Sequence, residues 1–474
     1  MSTVPLHVTA PGVPDNRRAM STSARAWAGY QGGRDPYITL VSIYIFMPYV
    51  ATVLVGNAVK GQALIAAYSF FGGLIAALTA PLLGAAADRM GRRLPPLFIL
   101  SLLFAPLVAA LWWAKPGGAG LSVPTILVLT LLISLVFTYG EVLHNAMISY
   151  AARSAHDASA MSGAAFAIGN VVSVAALIFV LWAFALPGKV AWAFEPAAPL
   201  FGLDPSQGET SRIAAPIAAL LFVIGVVPMF LLSKDAPQRS DSFFSALTGG
   251  ARDLWALIKS VRQHRDAAIF LGSRMLFSDA QIALILFCGI YAAGVMKWGV
   301  LEMTAFGILM SAFAALGGVL ASVFDRVLGP KRALQVELVG TIVGIVALLA
   351  VSPAGVRYVF SADPVAAPLW GGPVFTKLPE LVFLAIGGVI AVFNTAIFAS
   401  SRTFLTHLIP PGQSGAFFGL YALSGTATVW LGPLVVQTAV SHFQSQQAGN
   451  VAIAILLGLG LIPLSLVRDP SHRR

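Results

Sequence analysis

The chain has 474 residues, of which 58% are hydrophobic and 10% charged, with a mean hydropathy of +0.84. Soluble domains carry roughly 25% charged residues, so this composition excludes a water-soluble fold and requires an apolar solvent around much of the surface. The net charge of +10 does not indicate nucleic acid, because the arginines and lysines sit in short loops and termini, not among aromatics on one face.

A membrane-spanning helix needs about 20 predominantly apolar residues. Scanning for that length predicts twelve, at 36–56, 62–84, 95–114, 123–145, 160–187, 213–233, 266–294, 300–324, 332–351, 379–401, 414–438 and 448–467. Turn-forming clusters mark the breaks, among them Lys115-Pro-Gly-Gly118, Gly329-Pro330 and Pro410-Pro411-Gly412. Residues 1–35 read as an N-terminal arm without an apolar signal segment, and 468–474 as a short tail. The segment 234–265 divides the helices six and six. Its apolar residues alternate with Arg252, Lys259, Arg262 and Arg265, which predicts an amphipathic linker helix on an anionic lipid surface. Placing both termini in the cytoplasm puts 21 of the 29 Lys and Arg residues on the cytoplasmic side and seven outside, with Arg274 inside a helix. The expected setting is therefore a multi-pass protein of a bacterial inner membrane with its termini inside. Cys288 is the only cysteine and precludes an intrachain disulfide.

One loop is written twice. Gly84-Ala-Ala-Ala-Asp88-Arg89-Met-Gly91-Arg92-Arg93 follows the second helix, and Asp325-Arg326-Val-Leu-Gly329-Pro330-Lys331-Arg332 follows the eighth, 237 residues later. In addition, each half has a single arginine, Arg153 or Arg402, in the loop before a helix rich in small residues, which favour close helix approach. Two parallel six-helix repeats, each with a basic loop after its second helix, are expected.

The first loop resembles the signature of the major facilitator superfamily, matched at Gly84, Asp88, Arg89, Gly91, Arg92 and Arg93. Three further stretches resemble the UMF1 group, related to the Atg22-like fungal vacuolar effluxers. They are Gly33-Arg34-Asp35-Pro36, Asn145-Ala-Met147, and Ser401-Arg402-Thr-Phe-Leu405 with Phe417-Phe418-Gly-Leu420. The resemblance implies an all-α fold of twelve transmembrane helices in two pseudo-symmetric bundles (36–233 and 266–467). It also implies that the loop residues, including Asp325, Arg326 and Arg332, hold the cytoplasmic ends together in one conformation; a topology signal is the simpler reading of the same arginines. The implied activity is secondary transport by alternating access, with amino-acid efflux favoured and protons as the coupling ion. Drug export, uptake of sugar-like solutes and a non-transporting scaffold or lipid-handling role are the alternatives.

Ionisable groups inside spans are functional candidates by default. Arg274 and Asp279 lie in helix 7, about 140° apart at an i, i+5 spacing, and are expected not to pair. Each reads either as a substrate or proton group or as half of an interhelical charge pair. Glu141, His144 and Asn145 share one face near the end of helix 4, as a proton site or a solvated pair. Arg34 and Asp35 read as an interfacial pair just before helix 1, Arg402 as a gate residue, and Asn170, Gln281 and Asn394 as amides lining the route or bonding helices together. No nucleotide loop or metal-ligand cluster is present in the sequence. The expectation is a monomeric non-enzyme without a cofactor, whose partners are a small solute, protons and lipids.

Overall fold

The computed structural model describes residues 20–468 except 152–154, 191, 193, 234, 236, 238–242, 262, 364–366 and 410–413; certain helical side chains, that of Asp88 included, are also outside the description. The expected arm up to residue 19, Arg153, and the tail from 469 therefore lie outside the described residues.

Among the described residues, eleven helical segments are long and apolar enough to cross a membrane. The first half contains α1 (Thr22–Leu54), α2 (Ala58–Met90), α3 (Leu94–Ala110), α4 (Val123–Ala146), α5 (Ala155–Val180) and α6 (Ala214–Leu232). A helix over Phe243–Val261, α7, connects it to the second half. There follow α8 (Arg265–Met296), α9 (Val300–Leu328), α10 (Pro330–Leu348), α11 (Leu378–Leu408), α12 (Ser414–Thr426 and Leu431–Phe443) and α13 (Gln446–Leu466). The helix outside the eleven is α10, whose 19 residues include Lys331, Arg332 and Glu337.

The two halves repeat one packing scheme. In the first, α2 packs on α4, α1 on α5 and α6, and α3 on α4 and α6; in the second, α9 packs on α11, α8 on α12 and α13, and α10 on α11 and α13. The halves meet along α2 against α12 and α5 against α9. Small residues allow the approach: a Cβ on Gly73 would lie 2.9 Å from the Trp430 backbone, and one on Gly289 would collide with the Ile43 carbonyl. The duplicated loops share a device as well. Gly91 (φ 87°) and Gly329 (φ 79°) each donate a backbone N–H four residues back, to Ala87 and Asp325, and end α2 and α9 in a backbone conformation open to glycine.

Three boundaries differ from expectation. Helix α1 begins at Thr22, capped by the Ser21 hydroxyl, so Arg34 and Asp35 lie within it and not before it. It is irregular beyond Pro36, with π-helical turns at Tyr37–Tyr44 and Val50–Leu54 on either side of Pro48, which has no N–H to give. Helix α12 is interrupted between Thr426 and Leu431. The loop 349–377 contains a small three-stranded antiparallel sheet, Val351–Ser352, Gly355–Val356 and Phe360–Ser361.

Candidate functional site

Two cavities lie between the halves. The first, of about 230 Å³, is lined by α1, α5, α8, α9, α11 and α13. Three amides face it, Asn170 from the first half and Asn394 and Asn450 from the second, together with Thr39, Ser311 and Thr395. Asn394 Oδ1 is buried without a hydrogen-bond partner, while its backbone carbonyl accepts from Gln281. The rest of the wall is aromatic and aliphatic, with Tyr44, Tyr291, Phe306 and Phe383. Apolar walls with a few convergent amides and hydroxyls suit a small polar solute without net charge.

The second cavity, of about 340 Å³, is framed by α1, α2, α4, α8 and α12, and Glu141 is its acidic group. Glu141 Oε1 lies 3.3 Å from Arg34 Nη1, with 42% of its side chain exposed against 7% for Arg34. Asp35 completes the group, 3.3 Å from Arg34 Nη2 and accepting from Gln31. The guanidinium also rests over the Phe137 ring at 4.9 Å. These residues are thus a buried three-member charge group, α1 to α4, and not the expected interfacial pair.

His144 takes no part in it. The ring is fully buried between Trp27 and Tyr30, with centroids 4.4 and 4.2 Å away. Its Nε2–H donates to the Trp27 carbonyl, and the Trp27 indole donates to the His144 carbonyl. The expected solvated pairing with Glu141 is replaced by an aromatic lock between α1 and α4. Asn145, one residue on, is exposed and joins neither group.

In the second half Arg274 and Asp279 do not pair with each other. Arg274 Nη1 donates to the Tyr421 carbonyl and the Ser424 hydroxyl, both at 2.7 Å, and its guanidinium lies 3.5 Å from the centre of the Tyr421 ring. The Tyr421 hydroxyl in turn meets Ser401 of α11 at 2.7 Å. Arg402 beside it is exposed. Asp279 is buried and accepts through Oδ2 from the Gly432 N–H at 2.7 Å, so it caps the second piece of α12 at the interruption. It lines neither cavity.

Of the loop residues, Gly84 lets α4 approach, since a Cβ there would sit 3.2 Å from Val142; Arg92 is exposed and Arg93 buried. The linker residue Asp235 accepts from the backbone N–H groups of Arg93 and Leu94, capping α3. Helix α7 packs along α2, with Gly249 against the Arg89 guanidinium and Gly250 against Ala85. The linker helix therefore rests on the loop, a contact that the lipid-surface expectation did not contain. In the second loop Arg326 Nε donates to the Ser322 carbonyl, Arg332 is exposed, and Asp325 Oδ1 is buried without a hydrogen-bond partner.

At the ends of the helices far from these loops the halves are bonded directly. Gln446 of α13 donates to Gln62 of α2 at 2.8 Å and to the Ile290 carbonyl at 3.2 Å. Tyr44 meets Phe306 edge-on at 5.8 Å in the same region. Neither glutamine stood out in the sequence, because both fall at the margins of predicted spans.

Sequence reasoning also missed Glu337. It is fully buried in α10, where Ser400 of α11 donates to its Oε1 at 2.8 Å. The rule that singled out Arg274 and Asp279 applies equally to it, but the neighbouring Lys331 and Arg332 made that stretch read as the edge of a loop.

Comparison with known proteins agrees with this architecture. The crystal structure of the nucleoside transporter NupG superposes with a TM-score of 0.64 at 16% identity, covering 94% of this chain and 99% of that one. That of a D-xylose-proton symporter gives 0.63 at 14%, over 96% and 98%. A bacterial homologue of the human lysosomal transporter Spinster, inward-facing and unoccupied, gives 0.62 at 13%, over 94% and 96%. These likenesses establish the major facilitator fold. Among curated relatives, autophagy-related protein 22-1 of Aspergillus clavatus is 27% identical over 216 residues, 46% of this chain and 33% of that protein. Autophagy-related protein 22 of Yarrowia lipolytica is 26% identical over 226 residues, 47% and 34%. The chain thus spans about a third of the length of the curated relatives it matches. The family model described as vacuole effluxer Atg22 like matches residues 42–474, and the chain belongs to that family.

Proposed function

We propose that the protein is a secondary transporter that carries a small polar solute between its halves by alternating access, with free amino acids as the favoured substrate class and efflux as the direction. The observation that carries this reading is the first cavity, to which the two halves contribute amides separately: Asn170 from one, Asn394 and Asn450 from the other. A solute held by both sides is released when they rock apart. The buried, unpartnered Oδ1 of Asn394 is an acceptor awaiting a donor such as an ammonium or hydroxyl group.

Proton coupling is assigned on this reading to Glu141, the half-exposed acid of the second cavity, whose bond to Arg34 a proton would weaken. The excess of basic residues in the loops of the Arg89 end supports placing that end, and both termini, in the cytoplasm. The subgroup is taken to be UMF1-like. The relatives named above are fungal and carry no weight for a bacterial inner membrane.

The test is counterflow in proteoliposomes, with labelled amino acids, sugars and nucleosides under an imposed proton gradient. Amino-acid counterflow that falls at least tenfold in Asn394→Leu is the expected result. Flux of sugars or drugs alone would move the substrate class, and no flux of any solute through folded protein would favour a scaffold.

A further inference from the structure

Glu337 stands apart from both cavities. Its side chain is fully buried in α10, and the Ser400 hydroxyl is the donor to Oε1, while Oε2 is buried with no hydrogen-bond partner. The charged groups of every helix packed on α10 can be placed. From α9, Asp325 is near enough to act on Glu337 electrostatically, Arg326 is turned to the Ser322 carbonyl, and Glu302 bonds the Gly299 N–H at the far end of the helix. From α11, Arg402 and His407 are exposed, and Glu380 bonds the Trp298 indole. Helix α13 has no ionisable residue. On α10 itself Lys331 is held by the Ser465 and Val467 carbonyls, and Arg332 is exposed. No cation is paired with Glu337 among the described residues, and its nearest charged neighbour is another acid.

A carboxylate buried in a bundle needs a cation or several donors to offset the water it has lost, and this one has a single hydroxyl. A neutral carboxyl fits the same surroundings: one oxygen accepts from Ser400 and the other holds a hydrogen. We propose that Glu337 is a proton-binding site in the wall formed by α10 and α11, occupied by a proton in the conformation described here. The site lies just beyond the second copy of the basic loop, on a hairpin whose turn is Gly329. Rocking of the halves that admits water between α9 and α10 would let the proton leave, toward the side bearing Asp325. That link to transport rests on the function proposed above; the protonation itself does not.

Infrared spectroscopy of the full chain in lipid nanodiscs reads the proton directly. At neutral pH the wild-type protein should show a protonated-carboxyl carbonyl band that shifts to lower wavenumber in D2O and is missing from Glu337→Gln. Ser400→Ala should keep that band and move it to higher wavenumber, because the carbonyl loses its donor. A wild-type minus Glu337→Gln difference containing only carboxylate bands would overturn the proposal. If Glu337→Gln does not fold, Ser400→Ala decides alone, and a band that fails to move overturns it equally. A band that behaves as expected in a protein that moves no solute would leave the proton site standing and remove the transport reading.

Discussion

Gln446 on α13 and Gln62 on α2 join opposite halves of the molecule through a single amide hydrogen bond of 2.8 Å, in a place where neither side chain reaches solvent. Truncating one partner leaves the other buried and unsatisfied, at about 1–3 kcal/mol. Gln446→Leu should therefore shift the population toward the conformation open at that end by roughly tenfold. Labelling of a cysteine placed at Tyr44 should become correspondingly faster in the Gln446→Leu background; unchanged labelling would show that the bond does not hold the two halves.

Gly289 reports on the same closure by a different force. Any side chain there meets the Ile43 carbonyl, so the backbones of α1 and α8 would have to part. Gly289→Val should also favour the open end, and unlike Gln446→Leu it should do so without leaving a polar group unpaired. The check is the same labelling rate, with melting temperature measured alongside.

Asp279 separates structure from coupling. As the cap of the second piece of α12, Asp279→Ala should cost about 0.5–2 kcal/mol and lower the melting temperature. Asp279→Asn keeps an oxygen for the Gly432 N–H and should keep most of the stability. If Asp279→Asn folds normally yet abolishes proton-dependent flux, the residue does more than cap.

The ring stack around His144 makes a firmer demand. Removing the imidazole opens a gap between Trp27 and Tyr30 and deprives both backbone partners of that packing. His144→Ala should cost roughly 2–4 kcal/mol, read as a loss of thermal stability in detergent. His144→Phe should recover part of it by restacking, and a proton-shuttle role would instead show as a changed pH profile with stability intact.

At the basic loop the contact to test is α7 on Arg89. A leucine at Gly249 would overlap the guanidinium and should lift the linker helix from α2. Faster proteolysis within 243–261 in Gly249→Leu than in wild type is the expected outcome, and equal rates would show the helix to be held elsewhere.

Much of the fold was readable from the chain, because apolar length and duplicated loops are features that a membrane imposes on sequence directly. The six-and-six division needed only Gly91 and Gly329 in matching contexts. What escaped was whatever depends on a partner from far along the chain. Nothing local to Arg34 announces that α1 starts at Thr22 and presents it to Glu141, more than a hundred residues on. The interruption of α12 is invisible in a run of small and apolar residues until Asp279 is seen to receive the freed Gly432 N–H. Likewise His144 and Glu141 share a helical face on paper, but two aromatic rings of α1 take the histidine and leave the acid for the arginine. Polar residues at the edges of spans, Gln62, Gln446 and Glu337, were hardest to weigh, since the same residue types end helices everywhere.

The linker has one more consequence. Asp235 caps α3 from within the stretch that leaves the first half, whereas Gly249 rests on Arg89 from the stretch that enters the second. A polypeptide divided between those two points would leave each fragment owning one part of the clasp over the same loop. Two separately synthesised halves would then carry the means of finding each other, and the order in which ribosomes deliver them would matter less than the survival of that shared seat.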